Sequence, residues 1–225
     1  MRSNANLTLT GETCALVPYR EEHVPTYHAW MEDPGLREAT ASEPLSLEEE
    51  FAMQRDWASD EKKCTFIVLD RFAGAAGEGA GPEGRAETRP PGDARGPYAR
   101  AAMCGDVNLF FNDHDSVATC EIEVMVARTL SRRKGIAREA LRAMMAYAVE
   151  TLGARTFRAK IGFANEASRS LFARLGFEEV SRSEVFREAT LELALDGNAP
   201  VEEGLRGVWE RLDKGEYDRG TPGDA

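Results

Sequence analysis

The chain has 225 residues, 42% of them hydrophobic, and its 28 Lys and Arg residues against 39 Asp and Glu residues give a net charge of −11. This length and composition are typical of a soluble globular protein with one domain and a sizeable core. The negative charge disfavours binding to nucleic acid and to anionic membrane surfaces. We therefore predict neither a nucleic-acid partner nor a membrane partner.

The cysteines are widely spaced and include no C-x-x-C pair, which favours reduced, buried thiols over a zinc site or a disulfide framework. They are Cys14, Cys64, Cys104 and Cys120. We accordingly predict no metal site. No apolar run approaches the roughly 18 residues of a membrane-spanning helix, and the polar start of the chain is unlike a signal peptide. These features predict a cytoplasmic location, with a nuclear location as the alternative.

Hydrophobic periodicity and turn residues predict alternating helices and strands. In chain order these are a strand at 14–17, helices at 21–31 and 48–58, strands at 65–70, 103–111 and 119–126, a helix at 135–152, a strand at 156–161, a helix at 166–175, and strands at 178–183 and 186–195. The strand-helix-strand stretch 120–161 predicts a parallel pair with a right-handed crossover, whereas the short link between the last two strands predicts an antiparallel pair. The pattern indicates one mixed α/β domain.

Two segments depart from this pattern. Between residues 73 and 100 the chain is mostly Gly, Pro, Ala and charged residues, which predicts a flexible low-complexity insertion in a long hairpin loop. From Asp196 onward the chain is polar and Gly-rich, and its few large apolar residues include Leu205, Val208, Trp209 and Leu212. We expect a domain at 1–195 that contains the insertion, followed by a weakly ordered C-terminal tail at 196–225.

The most informative motif is the basic turn Arg132-Arg133-Lys134-Gly135-Ile136-Ala137, between the strand at 119–126 and the helix at 135–152. A strand, a Gly-containing turn and a helix N-terminus together present outward-pointing backbone N–H groups, which bind phosphate with the support of the helix dipole. The motif is not a Walker A loop, because it lacks the second Gly and the Lys-Ser/Thr pair. It predicts a ligand with phosphates; the alternative is a surface basic cluster that caps a helix.

Three motifs in this order resemble the GCN5-related N-acetyltransferase (GNAT) superfamily. They are Arg132-x-x-Gly135-x-Ala137, Asn165-Glu166-Ala167-Ser168 and Leu171-Phe172-x-x-Leu175-Gly176-Phe177. The resemblance runs from about residue 7 to residue 195, apart from the insertion. Four further segments resemble the eukaryotic N-acetyltransferase 9-like family within this superfamily. These are Ala41–Leu45, Lys63–Asp70, Gly105–Phe110 and Glu121–Val126.

The resemblance implies the GNAT acyl-CoA N-acyltransferase fold, an α/β (α+β) fold with a mixed, mostly antiparallel sheet flanked by helices. The fourth and fifth strands of that fold are parallel and splay apart. The resemblance also implies acetyl-CoA as cosubstrate, with pyrophosphate on the turn and the pantetheine amides on unpaired strand groups. The cofactor-binding residues would be Val124, Met125, Val126, Arg132, Arg133, Lys134, Gly135, Ile136, Ala137, Asn165, Ser168 and Phe172. The alternatives are a central strand without a gap and, for Asn165, a helix N-cap, a role compatible with binding.

Glu121 and Glu123 are the candidate catalytic bases, because residues two apart on a strand point to the same face. The alternative is that both are solvent-facing residues balanced by nearby cations. Many members of the resembling superfamily carry a Tyr that protonates the leaving sulfur, and the matching position here is Phe172, so that acid is absent. Arg133 stands where the family usually has Gly, so a positive φ there would carry a conformational cost.

The resemblance therefore implies an N-acetyltransferase that transfers acetyl from acetyl-CoA to an N-terminal or lysine amine of a protein acceptor. We expect the acceptor near residues 40–45 and the last hairpin. Two alternatives stay open: a small-molecule amine acetyltransferase, and a scaffold that binds acetyl-CoA without efficient chemistry. The sequence leaves the oligomeric state undetermined.

Overall fold

The computed structural model of the protein describes residues 4–73 and 102–217. The predicted insertion at 73–100 therefore lies, apart from Ala73, outside the described residues. The helices are α1 (Val24–Met31), α2 (Pro34–Thr40), α3 (Leu47–Ser59), α4 (Ile136–Tyr147), α5 (Glu166–Arg174) and α6 (Ala199–Arg211). The strands are β1 (Leu7–Thr10), β2 (Cys14–Pro18), β3 (Lys63–Asp70), β4 (Ala102–Phe110), β5 (Thr119–Val126), β6 (Thr156–Gly162), β7 (Glu178–Ser183), β8 (Glu188–Ala194) and β9 (Asp213–Glu216). No helix in these two ranges has the length and apolarity needed to cross a bilayer.

The described strands form one sheet in the order β7-β8-β6-β5-β4-β3-β2-β1-β9. Neighbouring strands are antiparallel, except that β5 and β6 run parallel. This parallel pair is short, because Thr119–Glu121 pairs with Thr156–Arg158 and the pairing stops there. The predicted mixed, mostly antiparallel sheet with one parallel pair is confirmed, and so is the antiparallel pairing of β7 and β8.

Helices cover both faces of the sheet. On one face, which we call the α4 face, side chains such as Phe66, Ile122 and Phe157 pack with α4 in a continuous apolar core. On the opposite face, the α1 face, Val17 and Ile67 pack under α1. The four cysteines are buried free thiols, as their spacing predicted. The alternation of side chains along each strand separates the two cores.

Helix α4 lies against the centre of the sheet because one side of it is apolar. Leu141, Met144, Met145 and Ala148 are buried, and the chain continues beyond α4 in a wide turn to Leu152. Gly153 then adopts the left-handed conformation, with φ of 75°, that ends the helix. The sequence predicted this apolar side and this end.

The expectation of a weakly ordered tail is corrected for residues 196–217. Residues Leu205, Val208 and Leu212 recur at helical spacing and are buried, so α6 packs on α4. Strand β9 then pairs with β1 at the edge of the sheet. The burial of these three side chains outweighs the polar composition of the segment, and residues 218–225 lie outside the described part. Strand β1 and helix α2 were also missing from the sequence prediction.

One carboxylate joins the start of α4 to the β1–β2 hairpin. Glu139 accepts hydrogen bonds from the backbone N–H groups of Glu12, Thr13 and Cys14 at 2.7 to 2.8 Å, and from the Thr13 hydroxyl at 2.6 Å. A side chain at Gly11 would collide with this carboxylate, since an added Cβ would lie 2.7 Å from the Glu139 Cδ atom. The start of α4 is thereby fixed relative to the sheet edge.

We expect Glu139→Gln to destabilise the fold by about 2 kcal/mol at neutral pH, because the amide replaces charge-assisted hydrogen bonds with weaker ones and turns an N–H2 group toward donors. Burial alone would raise the pKa of Glu139, but the hydrogen bonds from Thr13, Glu12 and Cys14 outweigh it and lower the pKa below the usual 4.5. Its contribution is therefore present above pH 4.5 and is lost as pH falls through the depressed pKa. Denaturant unfolding across pH measures this.

Glu150→Gln is the matched control, because Glu150 is an exposed carboxylate in the wide turn after α4. Its effect should stay within about 0.5 kcal/mol at every pH. Equal stability of Glu139→Gln and wild type at neutral pH would show that the Glu139 bonds do not anchor the hairpin.

Candidate active site

The sheet opens between β5 and β6. Beyond Glu121 and Arg158, the last paired residues, β5 continues to Val126 and β6 to Gly162 without pairing to each other. We call this gap the strand opening. Backbone N–H and C=O groups on its two edges have no strand partner across the gap, and such groups bind an extended amide-containing ligand as an added strand would. The predicted splay is thus present.

Alternate residues of β5 face the two edges of that strand. The Met125 carbonyl oxygen points toward β4, where an added Cβ on Gly105 would lie 1.9 Å from it. Val124 and Val126 therefore present their backbone groups to the strand opening, whereas Met125 does not. Val126 already accepts a hydrogen bond at 2.9 Å from the Arg132 Nε atom.

The phosphate turn, residues 132–137, lies between the end of β5 and the start of α4. Gly135 has a φ of 84°, and the space around its missing Cβ is open. In the described part of the chain, the backbone N–H groups of residues 133–138 have no protein acceptor, and the first bond of the helix joins the Glu139 N–H to the Gly135 carbonyl at 3.0 Å. These unpaired donors at a helix N-terminus fit the pyrophosphate that the resemblance implies. Arg133 adopts a φ of 62°, the costly conformation foreseen for this departure from Gly.

The three cations of the phosphate turn differ in what they contact. Arg132 donates to the carbonyls of Val126 and Ala127, and the Lys134 ammonium lies 3.1 Å from the buried Asp70 carboxylate. Burial alone would raise the pKa of Asp70, but hydrogen bonds from Ser131 first, and then from the Phe72 N–H and Lys134, lower it. Arg132 and Lys134 thus hold the turn in place, while Arg133 is exposed to solvent.

The remaining predicted cofactor residues lie at and within α5. Asn165 caps this helix, since its Oδ1 atom accepts from the Ser168 N–H at 3.1 Å, which confirms the N-cap role. Phe172 is 3% exposed and packs edge to face against Phe177. The matching position for a leaving-group acid is therefore a buried hydrocarbon ring.

The two candidate bases share the α1 face but have different partners. Glu121 forms an ion pair with Lys160, with 2.9 Å between Oε2 and Nζ. Glu123 lies on β5 beside Asn108 of β4, where its side chain reaches solvent while the surrounding protein partly desolvates its carboxylate. Desolvation and then the charge of Glu121 raise the pKa of Glu123 to about 7, although Lys63 and Lys160 oppose this rise. A carboxyl group with this pKa accepts a proton readily at neutral pH.

A buried polar row beside Glu123 escaped the sequence analysis. Asn108 accepts from Thr65 at 2.6 Å and donates to Asp106 at 2.8 Å, and Asp106 also lies 3.3 Å from the Tyr27 hydroxyl. The alternation Asp106-Val107-Asn108 places both polar residues on one strand face, and that signal was available in the sequence. The sequence did not indicate a neighbouring cation, Lys63. Its ammonium lies 3.3 Å from the ring centroid of Trp57 and 3.8 Å from that of Phe110.

Comparison with known proteins places this site in context. Residues 14–178 match the family described as acetyltransferase (GNAT) domain. The chain is 46% identical to the N-acetyltransferase 9-like protein of Nematostella vectensis, over 85% of this chain and 88% of that protein. It is also 46% identical to the alpha/beta-tubulin-N-acetyltransferase 9 of Homo sapiens, over 87% of this chain and 86% of that protein.

Solved structures share the fold at low sequence identity. The spermidine N-acetyltransferase of Vibrio cholerae, in complex with CoA and spermine, matches with a TM-score of 0.62 and 13% identity over 83% of this chain and 98% of that chain. An uncharacterized protein of Bacillus halodurans matches with a TM-score of 0.64 and 10% identity over 92% of this chain and 99% of that chain.

We expect Gly135→Asp to weaken CoA binding at least about 100-fold, because a carboxylate at the phosphate turn repels the pyrophosphate that the unpaired N–H groups attract. Gly153→Asp is a matched control, since Gly153 also has a positive φ and open space, at the far end of the same helical segment. Both variants should lose similar stability through backbone strain. Calorimetric titration with CoA separates them, and equal affinities would remove phosphate binding from this turn.

Proposed function

Because the chain belongs to the GNAT acetyltransferase family, we propose that it transfers the acetyl group of acetyl-CoA to an amine of a protein acceptor. The observation that carries the proposal is the strand opening, which has the phosphate turn on one side and Glu123 at its edge on the α1 face. This arrangement suits a long ligand whose phosphates bind at the start of α4 and whose reactive end emerges beside a base. When bound, acetyl-CoA supplies an acetyl group activated as a thioester.

We assign Glu123 as the general base. Glu121 supports this role because its negative charge raises the pKa of Glu123. An amine attacks only when neutral, and deprotonation at neutral pH costs roughly 1 kcal/mol for an α-amine near pKa ~7.8 and about 4–5 kcal/mol for lysine near ~10.4. Glu123 lies at the strand opening, with its pKa raised to about 7 by desolvation and by Glu121. Glu121 itself forms an ion pair with Lys160, with 2.9 Å between Oε2 and Nζ.

We propose that the phosphate turn binds pyrophosphate through the N–H groups of residues 133–138 and the Arg133 side chain. Val124 and Val126 bind the pantetheine amides, while Asn165 and Ser168 border the arm at the start of α5. Phe172 contributes only apolar surface there, since its ring lies in the core. Arg132 and Lys134 act by holding the turn against β5 and Asp70.

The acceptor class rests on the relatives. Three of them, from Homo sapiens, Mus musculus and Drosophila melanogaster, are named alpha/beta-tubulin-N-acetyltransferase 9 and are 44% to 46% identical to this chain. We propose a protein amine as acceptor on this basis, with tubulin as the first candidate to test. The four free cysteines suit a reducing cytoplasm, where we place the activity.

We expect acetyl transfer to purified tubulin or to peptides from it, at a kcat/KM at least tenfold above that for spermidine and other polyamines. Release of CoA measures the rate, and mass spectrometry of the product locates the acetyl group on the α-amine or on a lysine. Transfer to polyamines alone would favour the small-molecule alternative. No release with either panel, together with intact CoA binding, would favour the scaffold.

We expect Glu123→Gln to lower kcat about 100-fold near neutral pH, and the deficit should shrink at high pH as the amine loses its proton unaided. In the wild type, kcat/KM should rise with pH through an apparent pKa near the value of about 7 for Glu123. Glu121→Gln removes a charge that raises the Glu123 pKa, so the rise should move to lower pH. A pH–rate series for each variant checks this.

Glu203→Gln is the control for these variants, because Glu203 is exposed on α6, a helix that packs on α4. Its profile should overlay that of the wild type. Wild-type pH profiles for both Glu123→Gln and Glu121→Gln would exclude these carboxylates from proton transfer.

A further inference from the structure

The strand opening has an acid on one edge and a cation on the other. On the α1 face, the last paired row consists of Glu121 on β5 and Arg158 on β6. The next side chains on that face lie two residues further along each strand, and these are Glu123 and Lys160. They are therefore the first side chains on either side of the gap, facing the end of any ligand that passes through it.

Lys160 is held in this position by its neighbours. Its ammonium lies 2.9 Å from a Glu121 carboxylate oxygen, while 48% of its side chain stays exposed to solvent. The hydrogen bond that Lys160 donates to Glu121 raises the pKa of Lys160. The charges of Glu121, Glu188 on β8 and Glu123 act in the same direction, against partial burial. An ammonium has three N–H donors, so the bond to Glu121 leaves donors for a second anion.

The proposed transfer of an acetyl group from acetyl-CoA needs such a donor. Breaking the thioester leaves negative charge on sulfur, and Phe172, the position that would carry a hydroxyl acid, is a buried ring in contact with Phe177. A preorganised cation at the developing charge is an effective substitute for proton donation. Lys160 is the cation at the edge of the strand opening, across from the base.

We propose that Lys160 is a catalytic residue whose ammonium stabilises the negative charge on the CoA sulfur as the carbon–sulfur bond breaks. The proposal rests on the proposed acetyl transfer. The amine nitrogen forms the new bond to the acetyl carbon, Glu123 accepts the proton that this nitrogen loses, and the electron pair of the carbon–sulfur bond leaves on sulfur. Lys160 pairs with this thiolate until the sulfur takes a proton from water on release, and Glu123 returns to water the proton that it took from the amine.

The direct test measures the thiol pKa of CoA bound to the protein, from the ultraviolet absorbance of the thiolate. In the wild type, an ammonium next to the sulfur should lower this pKa by about one unit or more below that of free CoA measured in the same buffer. Lys160→Met removes the charge and keeps most of the side-chain length, so the pKa of the bound thiol should return to that of free CoA, whereas Lys160→Arg should retain the lower value. Equal thiol pKa values in wild type and Lys160→Met would overturn the proposal.

Turnover provides a second readout. Lys160→Met should lower kcat about 100-fold with little change in CoA affinity, and Lys160→Arg should recover much of the loss. Arg158→Met is the matched control, because Arg158 lies on the same strand and face, also ion-paired, but behind the strand opening with Asp113 and Glu192. Its kcat should stay within a few-fold of the wild type.

A purely structural role for the ion pair gives a different result. Glu121→Gln breaks the same pair, so a structural role predicts equal losses of kcat in Glu121→Gln and Lys160→Met at high pH, where Glu123 is ionised in both. The proposal predicts a much larger loss in Lys160→Met. The thiol measurement uses CoA alone and needs no acceptor. If the proposed acceptor proves wrong, the proposed function fails, but the thiol measurement still decides whether Lys160 acts on the sulfur.

Discussion

The end of pairing between β5 and β6 is the constraint on which the rest of this structure depends. Backbone groups in the middle of a sheet are normally paired, and leaving them without partners is costly unless a ligand or water satisfies them. The protein maintains the gap by fixing what surrounds it. Arg132 ties the phosphate turn to the end of β5, Lys134 ties it to Asp70 of β3, and Glu139 ties the start of α4 to the β1–β2 hairpin. These contacts fix the position of the phosphate turn relative to the strand opening.

The two glutamates near the strand opening, Glu121 and Glu123, differ in their distance from a cation and in the desolvation of their carboxylates. Glu121 has a cation at 2.9 Å, whereas Glu123, two residues along the same strand, has a carboxylate neighbour and a pKa raised to about 7 by desolvation and that neighbour. Two identical side chains therefore have different electrostatic properties because of their surroundings. The strained φ of 62° at Arg133 belongs to the same site, where a basic side chain within the phosphate turn adopts a conformation that carries an energetic cost.

Family membership and site geometry support different parts of the functional conclusion. The match over residues 14–178 establishes the acetyltransferase family, and the relatives suggest a protein acceptor. The solved structures, at 10% to 13% identity, support the fold alone. The assignment of base and cation comes from the register of β5 against β4 and β6, which places Glu123 and Lys160 at the two edges of the opening. The buried, hydrogen-bonded side chains of Thr65, Asn108 and Asp106 lie on the neighbouring strands beside Glu123.

The sequence by itself determined what depends on neighbours along the chain. The periods of the strands and helices, the basic turn before α4, the N-cap at Asn165 and the shared face of Glu121 and Glu123 all follow from local geometry and spacing. The tertiary structure decided which distant residues meet: Lys160 with Glu121, Lys134 with Asp70, Glu139 with the β1–β2 hairpin, and α6 with α4. It also decided that Met125 faces β4 and that residues 196–217 are ordered. These outcomes depend on strand order and on burial between segments far apart in sequence, which local pattern alone does not specify.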